Sequence, residues 1–449
     1  MKKTDVLVIG GSAAGLVTAL TAKSHNPEIH ITVVRKEEQV VVPCGIPYIF
    51  GSLESSEQDV IPDAKLEKGG IDLIVDEVTA VDCESNRATT KGGEEIAFDK
   101  VVFATGSQPK VPGWLKGSDL DGVYTVPKDK QYLDSFAEQL PHSQKIVVIG
   151  GGFIGVEVSD ELNKAGKDVT LVEVLPHVLG SVFDDTVAEK AENALKARGV
   201  TVKSGSGVKE ISGDGKVSGV ELQNGERLEA DLVVLSMGYE PNTSLAKKAG
   251  LELNRFGQIK VDEYMRTDCV DVFAVGDCAQ KHDFVTRRDT PSMLASTASA
   301  EARIAGINLF KLSVTKNFKG TISVFSTAVG EDAFGVAGLT RSQAEKQHLP
   351  VITSKFEGPD RHPGKIPGMH MQMVELVVAK DSGLILGGTA TGGLSIGELV
   401  NTIGFAIQNN MTIYDLLTTQ IGTHPLLTAP PTAYPLIKAA EIAVKQLKK

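Results

Sequence analysis

The sequence predicts an α/β protein built on two Rossmann-like dinucleotide-binding units, followed by a third region of different character. Two observations carry this. Residues 5–35 (DVLVIGGSAAGLVTALTAKSHNPEIHITVVR) and residues 145–175 (KIVVIGGGFIGVEVSDELNKAGKDVTLVEVL) each run from a short apolar strand through a Gly-rich turn and a helical stretch into a second apolar strand. Residues 326–449 hold strand-like VELVVAK and LILGGTATGG and then helical segments, with no third Gly-rich turn. The length agrees, since 449 residues make about three domains at ~150 residues each.

A Gly-rich turn lets backbone N–H groups approach a pyrophosphate, and the N-terminus of the following helix adds its partial positive charge. The second unit has all three glycines of G-x-G-x-x-G, at Gly150, Gly152 and Gly155. The first keeps Gly10 and Gly15 but carries Ser12 at the middle place. One such turn arises for purely structural reasons; two, each between a strand and a helix, predict two dinucleotide sites.

The last strand of the second unit ends at Glu173. A carboxylate there accepts from a ribose 2′-hydroxyl and repels a 2′-phosphate, and no arginine follows at once. NADH is therefore expected, with NADPH the second choice; the bland alternative is a solvated strand-end charge. The corresponding strand of the first unit ends at Arg35, with Glu37 and Glu38 just beyond. Two places remain open for Arg35, beside an adenosine or facing solvent.

Composition narrows the function. Hydrophobic residues make up 41% and charged residues 23% of the chain, as in ordinary globular proteins. A net charge of -11 and a pI near 5.4 argue against general attraction to nucleic acid or anionic membrane, and aromatics at 5% offer no base-stacking platform. No run of about 18 apolar residues predicts a membrane span. The N-terminal VLVI ends in glycines and reads as a buried strand, not a leader. Cys44, Cys83, Cys269 and Cys278 form no C-x-x-C pair, and the histidine spacing suggests no metal site. A reduced, cytoplasmic chain is the expectation.

Further segments join the two repeats: FDKVVFATGSQP around Thr105 and Gly106, LSMGYEPNTSLA around Gly238, TDCVDVFAVGDCAQ around Gly276 and Asp277, and PCGIPYIFG around Cys44. In this order, over nearly the whole chain, they resemble the pyridine nucleotide-disulfide oxidoreductase family. The nearest branch is the single-cysteine group of coenzyme A disulfide reductases, NADH oxidases and polysulfide or persulfide reductases.

The resemblance implies an FAD-binding domain of residues 1–115 and 250–325, an NAD(P)H-binding domain of 116–249, and an α+β dimerisation domain of 326–449. It further implies a homodimer whose subunits share their active sites. Gly10, Ser12, Ala13, Ala14, Gly15, Arg35, Thr105, Gly106, Gly276 and Asp277 would line the FAD side, and Gly238, within the NAD(P)H-binding segment, is a further cofactor-binding candidate. A helix over 289–306, with Ala295 near its start, would point its N-terminus at the flavin pyrimidine. Gly150, Gly152, Phe153, Ile154, Gly155 and Glu173 would hold NADH, with Glu157 near nicotinamide and flavin. Phe153 falls where many relatives carry a gating tyrosine.

Cys44 carries the chemistry in this reading. It follows Pro43 and precedes GIPYIFGSL, a helix start after an extended segment. A helix N-terminus lowers a thiol pKa, and only thiolate attacks a sulfur–sulfur bond. Hydride would pass from nicotinamide to flavin, and electrons from flavin to an oxidised Cys44. No second cysteine lies four or five residues away. The other three cysteines read as structural.

The acceptor is less legible. Peroxidase and classical oxidase relatives carry a histidine in the first turn, where this chain has Ala13. The tyrosines of coenzyme A disulfide reductases are replaced in RHPG (Arg361–Gly364) and TAPP (Thr428–Pro431). His424, in GTHPLLTAPP, is an acid/base candidate for a leaving thiolate or else a satisfied interface histidine. No rhodanese-like extension is expected after Lys449, so a persulfide carrier would be a separate molecule. Three acceptors result, in descending order: a small-molecule sulfur substrate, dioxygen at the flavin, and a protein electron carrier.

Overall fold

The computed structural model describes residues 1–448. They form two compact units, one of Met1–Pro112, Tyr124–His142 and Met237–Thr321, the other of Gly113–Val123, Ser143–Ser236 and Ile322–Lys449.

The first unit is built on a parallel sheet in the order Asp72–Val75, Ile31–Arg35, Lys2–Ile9, Glu95–Phe103. The free edge of Glu95–Phe103 is shared. Arg87–Thr90 runs antiparallel along its first residues, and Val272–Ala274 runs parallel to its last. Helices pack on the sheet, and the middle of its strands is apolar; Val6, Leu7, Val8 and Val33 are fully buried. The helix Ala13–His25 packs on Ala295–Asn308. Gly306 makes that approach close, since a β-carbon there would lie 2.8 Å from Thr21 Cβ and 3.0 Å from the Ala22 nitrogen.

The helix expected over 289–306 begins only at Ala295. The preceding residues are held extended, because Asp289 bridges antiparallel to His282 and the Thr290 N–H donates to Lys281 O at 3.0 Å.

The second unit contains another parallel sheet, ordered Val123–Thr125, Leu232–Leu235, Lys145–Ile149, Asp168–Val172, Thr201–Lys203. Its C-terminal part is a five-stranded antiparallel sheet ordered Phe325–Val329, Asp332–Gly338, Ile385–Gly392, Met371–Ala379, Val351–Pro359. The helix Ile396–Gln408 packs on its inner strands and Pro435–Leu447 on Val351–Pro359.

Residues 124–142 and 237–249, read from the sequence with the NAD(P)H domain, cluster with the first unit. Tyr239–Pro241 pairs antiparallel with Ser107–Pro109, and Lys128 reaches Asp277.

Candidate active site and cofactor cradles

In the first unit the turn after Lys2–Ile9 is shaped by exclusion. Gly10 has φ +111°, and a β-carbon on it would lie 2.8 Å from the Ala104 carbonyl carbon. Gly15 backs directly onto Gly10. The helix therefore starts hard against the strand end, with Ser12 as its N-cap and Ala13 and Ala14 in its first turn. The Ser12 side chain makes no capping bond and so does not compete with an anion for the first-turn N–H groups.

Gly276, with φ +77°, closes on this turn; a β-carbon there would stand 2.9 Å from Ala14 Cβ. Asp277, next in the chain, accepts from Ser107 Oγ and Lys128 Nζ, both at 2.7 Å. Burial alone would raise its pKa, but the Lys128 ammonium and the Ser107 hydroxyl hold it below the ordinary carboxylate range. Lys128 carries no local sequence signal, whereas Ser107 follows Gly106 in the FDKVVFATGSQP segment.

Gly276 is clamped from behind. Its N–H donates to Glu301 Oε2 at 2.8 Å, and its carbonyl accepts from Lys281 Nζ at 2.5 Å. Lys281 and Glu301 are fully buried and stand 3.4 Å apart. Burial pushes the Glu301 carboxyl up to about 7, against the pull of Lys281 and the Gly276 N–H.

Thr105 Oγ1 donates to Asn242 O at 2.6 Å, and Gly106 O accepts from Asn242 N–H at 2.9 Å. Gly106 and Gly238 both have positive φ, and space for a β-carbon is open at each, so their backbones are approachable. The cradle fits an FAD: close-packed glycines set the turn, no side-chain cap occupies its first-turn N–H groups, and the half-buried carboxylate of Asp277 stands beside it to accept from hydroxyls.

Arg35 does not face solvent. Its side chain is 2% exposed and bonds Asp63 with both terminal nitrogens, at 2.5 and 2.8 Å. It also donates to the carbonyls of Glu37 and Glu38. Its methylenes lie under Gly11, which fixes the base of the turn.

Cys44 is exposed, whereas Cys83 and Cys269 are half-buried and Cys278 is buried. It sits in a turn closed by Gly45 N–H to Val42 O at 2.8 Å. The expected helix start is a five-residue 3-10 helix, Ile46–Phe50, with Pro47 in its first turn. Behind the turn, Val42 N–H donates to Asp59 O at 2.8 Å, where Val40–Val41 pairs with Val60–Ile61.

The second unit repeats the cradle. Gly150 has φ +107°, and a β-carbon on Gly155 would meet Gly150 and, at 2.6 Å, Ser236 Oγ. Ser236, which the sequence reading passed over, donates to the Gly150 carbonyl at 2.7 Å. Gly152 is the N-cap of the helix Phe153–Lys164, with open space where a β-carbon would be. Phe153 and Ile154 form the first turn. A pyrophosphate fits against Gly152.

Glu173 is buried, not a solvated strand-end charge. Its Oε2 accepts from Gly151 N–H at 2.5 Å and its Oε1 from Leu175 N–H at 2.7 Å. It ties the strand end to the turn and retains acceptor capacity for a hydroxyl.

Glu157 Oε1 accepts from Thr327 Oγ1 at 2.8 Å. Burial pushes its carboxyl up to about 7; the Thr327 bond opposes this and the nearby Glu161 adds to it. Phe153 stacks on Phe325 with centroids 5.2 Å apart. His424 is exposed, and its Nδ1 accepts from Leu426 N–H at 3.2 Å, which leaves Nε2 outward. Its loop meets the RHPG loop through His362 N–H to Pro425 O at 3.1 Å.

Comparison with known proteins agrees with this architecture. The family profile described as pyridine nucleotide-disulphide oxidoreductase matches residues 4–302, and that of its dimerisation domain matches 324–434. A protein of Methanocaldococcus jannaschii named NADH oxidase is 31% identical over 98% of this chain and 99% of its own. A Pyrococcus horikoshii protein named NAD(P)H coenzyme A polysulfide/persulfide reductase is 31% identical over 98% of each chain. Among solved structures, a NAD-dependent persulfide reductase from A. fulgidus superimposes with a TM-score of 0.91 at 29% identity, covering 99% of this chain and 84% of that one.

Proposed function

Because the chain belongs to the pyridine nucleotide-disulphide oxidoreductase family and is thereby an FAD-dependent, nicotinamide-linked oxidoreductase, we propose that it reduces a sulfur–sulfur bond through Cys44. The substrate class is a small disulfide, persulfide or polysulfide. The observation that carries the reading is the placement of Cys44: exposed, on a short turn backed by a two-stranded ladder, with no disulfide among the described residues. FAD, when bound, supplies the relay of two electrons from NADH to sulfur.

The chain's own residues do the rest. Gly10, Ser12, Ala13, Ala14 and Gly15 present backbone to the FAD pyrophosphate, and Asp277 accepts from its hydroxyls. Thr105, Gly106, Gly276 and Ala295 complete that wall, Arg35 braces the turn from below, and Gly238 offers an approachable backbone to a cofactor. Gly150, Gly152, Phe153, Ile154 and Gly155 hold NADH, with Glu173 at the ribose. Glu157 holds a proton near neutral pH. His424 donates a proton to the leaving thiolate through Nε2. In domain terms, 1–115 and 250–325 serve FAD, 116–249 NADH and 326–449 dimerisation, with Lys128 lent to Asp277 from the NADH segment.

The homodimer with shared active sites is supported by apolar side chains left exposed in the C-terminal region, among them Leu394, Phe405, Leu426 and Leu427. Among the described residues no helix is long and apolar enough to cross a membrane; a cytoplasmic location fits a mechanism that needs a reduced thiol.

Dioxygen is the second acceptor, favoured by the 31% identity to the protein named NADH oxidase. The test is anaerobic titration of the yellow protein with NADH, followed by polysulfide, coenzyme A disulfide or oxygen. A long-wavelength band discharged by a sulfur acceptor supports the first reading. Reoxidation by oxygen alone, with no such band, replaces it with the second.

A further inference from the structure

We propose that Cys83 and Cys269 form an oxidisable dithiol, a site that a small disulfide closes into an internal cross-link between two segments that abut along one edge of the strand Glu95–Phe103. This pair is separate from Cys44. The strand Glu95–Phe103 pairs with Lys2–Ile9 along one edge and with two short segments in tandem along the other. Where those segments meet, Phe98 N–H donates to Asn86 O at 3.1 Å and Val101 N–H donates to Asp271 O at 3.0 Å. Cys83 lies in the turn just before Asn86, and Cys269 lies two residues before Asp271. Both side chains pack against the same apolar cluster, which includes Val81, Ile96, Val101 and Val272. The Cys269 thiol lies close enough to Cys83 to perturb its ionisation. Residues far apart in the chain thus meet at the gap where hairpin and strand abut.

The chemistry balances with a low-molecular-weight disulfide as oxidant. The Cys83 thiolate attacks one sulfur of RSSR, the S–S bond breaks, and RS⁻ leaves. The Cys269 sulfur then attacks the Cys83 sulfur, the protein S–S bond forms, and a second RS⁻ leaves. The dithiol loses two electrons to the reagent, and its two protons end on the two released thiolates.

The surroundings make the pair slow to react at neutral pH. Burial pushes the Cys83 thiol up to about 12, and Cys269 and the carboxylates of Asp82 and Asp268 add to the rise. Only the thiolate reacts, so closure accelerates with pH. The cross-link closes a very long loop, which constrains the unfolded chain strongly and raises the unfolding midpoint.

The test uses the purified flavoprotein with 2-hydroxyethyl disulfide at pH 7, 8 and 9, then alkylation, digestion without reduction and peptide mapping. The expected product is a Cys83–Cys269 peptide lighter by two hydrogens, formed roughly tenfold faster per pH unit. The unfolding midpoint rises in the wild type and not in Cys269→Ser. Separate alkylation or separate mixed disulfides on the two cysteines overturn the proposal, as does a linked peptide with no rise in midpoint. Adducts on Cys44 map to a different peptide.

Discussion

The carboxylate of Asp59 fills the space beside Gly45 in which any other residue would place its β-carbon. Asp59 is 5% exposed, its Oδ2 has no hydrogen-bond partner, and its main-chain oxygen anchors Val42. The turn that presents Cys44 therefore rests on a buried carboxyl. Gly45→Ala must displace it, at a cost of about 1–3 kcal/mol, and should lower turnover with the sulfur acceptor while the flavin stays bound. In Asp59→Ala the same Gly45→Ala change should cost much less, so a double-mutant cycle on unfolding midpoints checks the contact.

The same carboxyl gives a pH dependence. Burial raises its pKa from 3.8 to about 6. The folded chain then binds this proton more tightly than the unfolded chain does. Stability is unaffected below about 4, falls as pH rises to about 6, and stays lower above that. Asp59→Asn should be more stable than wild type at pH 7.5, by about 1–2 kcal/mol, and the gain should vanish by pH 4. A constant difference across that range would mean that Asp59 ionises freely in the fold.

Cys44→Ser should lower reduction of a disulfide or polysulfide by at least ~100-fold while NADH still bleaches the flavin. Loss of flavin from this variant would contradict the proposed roles, because every residue assigned to FAD lies outside the Cys44 turn. Retained sulfur reduction would move the chemistry away from Cys44.

Glu173 ties two backbone N–H groups as well as standing at the proposed ribose site. Glu173→Ala should raise KM for NADH about tenfold and relax the preference over NADPH, with kcat changed less. It should also cost about 1–2 kcal/mol of stability, because Gly151 and Leu175 lose their acceptor. NADPH preferred already by the wild type would defeat the assignment.

The parts of this site that the sequence made legible are those fixed by neighbours in the chain. Gly10, Gly15, Gly150 and Gly155 are spaced by the turn itself, and Cys44 is marked by the residues beside it. The parts it hid are tertiary. Lys128 reaches Asp277 from 149 residues away, Thr327 reaches Glu157 from 170, and Ser236 reaches Gly150 from 86. Lys128 and Thr327 lie in no motif, and Ser236 lies in LSMGYEPNTSLA, where the segment marks Gly238 but nothing local marks the serine's contact. Arg35 was ambiguous for the same reason, since its partner Asp63 lies 28 residues on. The helix start at Ala295 was misplaced because the bridge between His282 and Asp289, not local propensity, keeps the chain extended until then.

Glu157 and Thr327 supply a second titration. Burial raises the Glu157 carboxyl from 4.5 to about 7, and the Thr327 hydroxyl, by donating to the charged form, holds it from going higher. If Glu157 serves turnover, the pH profile with NADH should show an ionisation near 7 that Glu157→Gln removes. Thr327→Val withdraws the donor from the carboxylate and should move that ionisation to higher pH. The stability trend is separate: folding loses support as pH rises from 4.5 to about 7, so Glu157→Gln should gain on the wild type above that window and match it below. A profile unmoved in Thr327→Val, with the stability trend intact, would make Glu157 a buried structural carboxyl with no part in turnover.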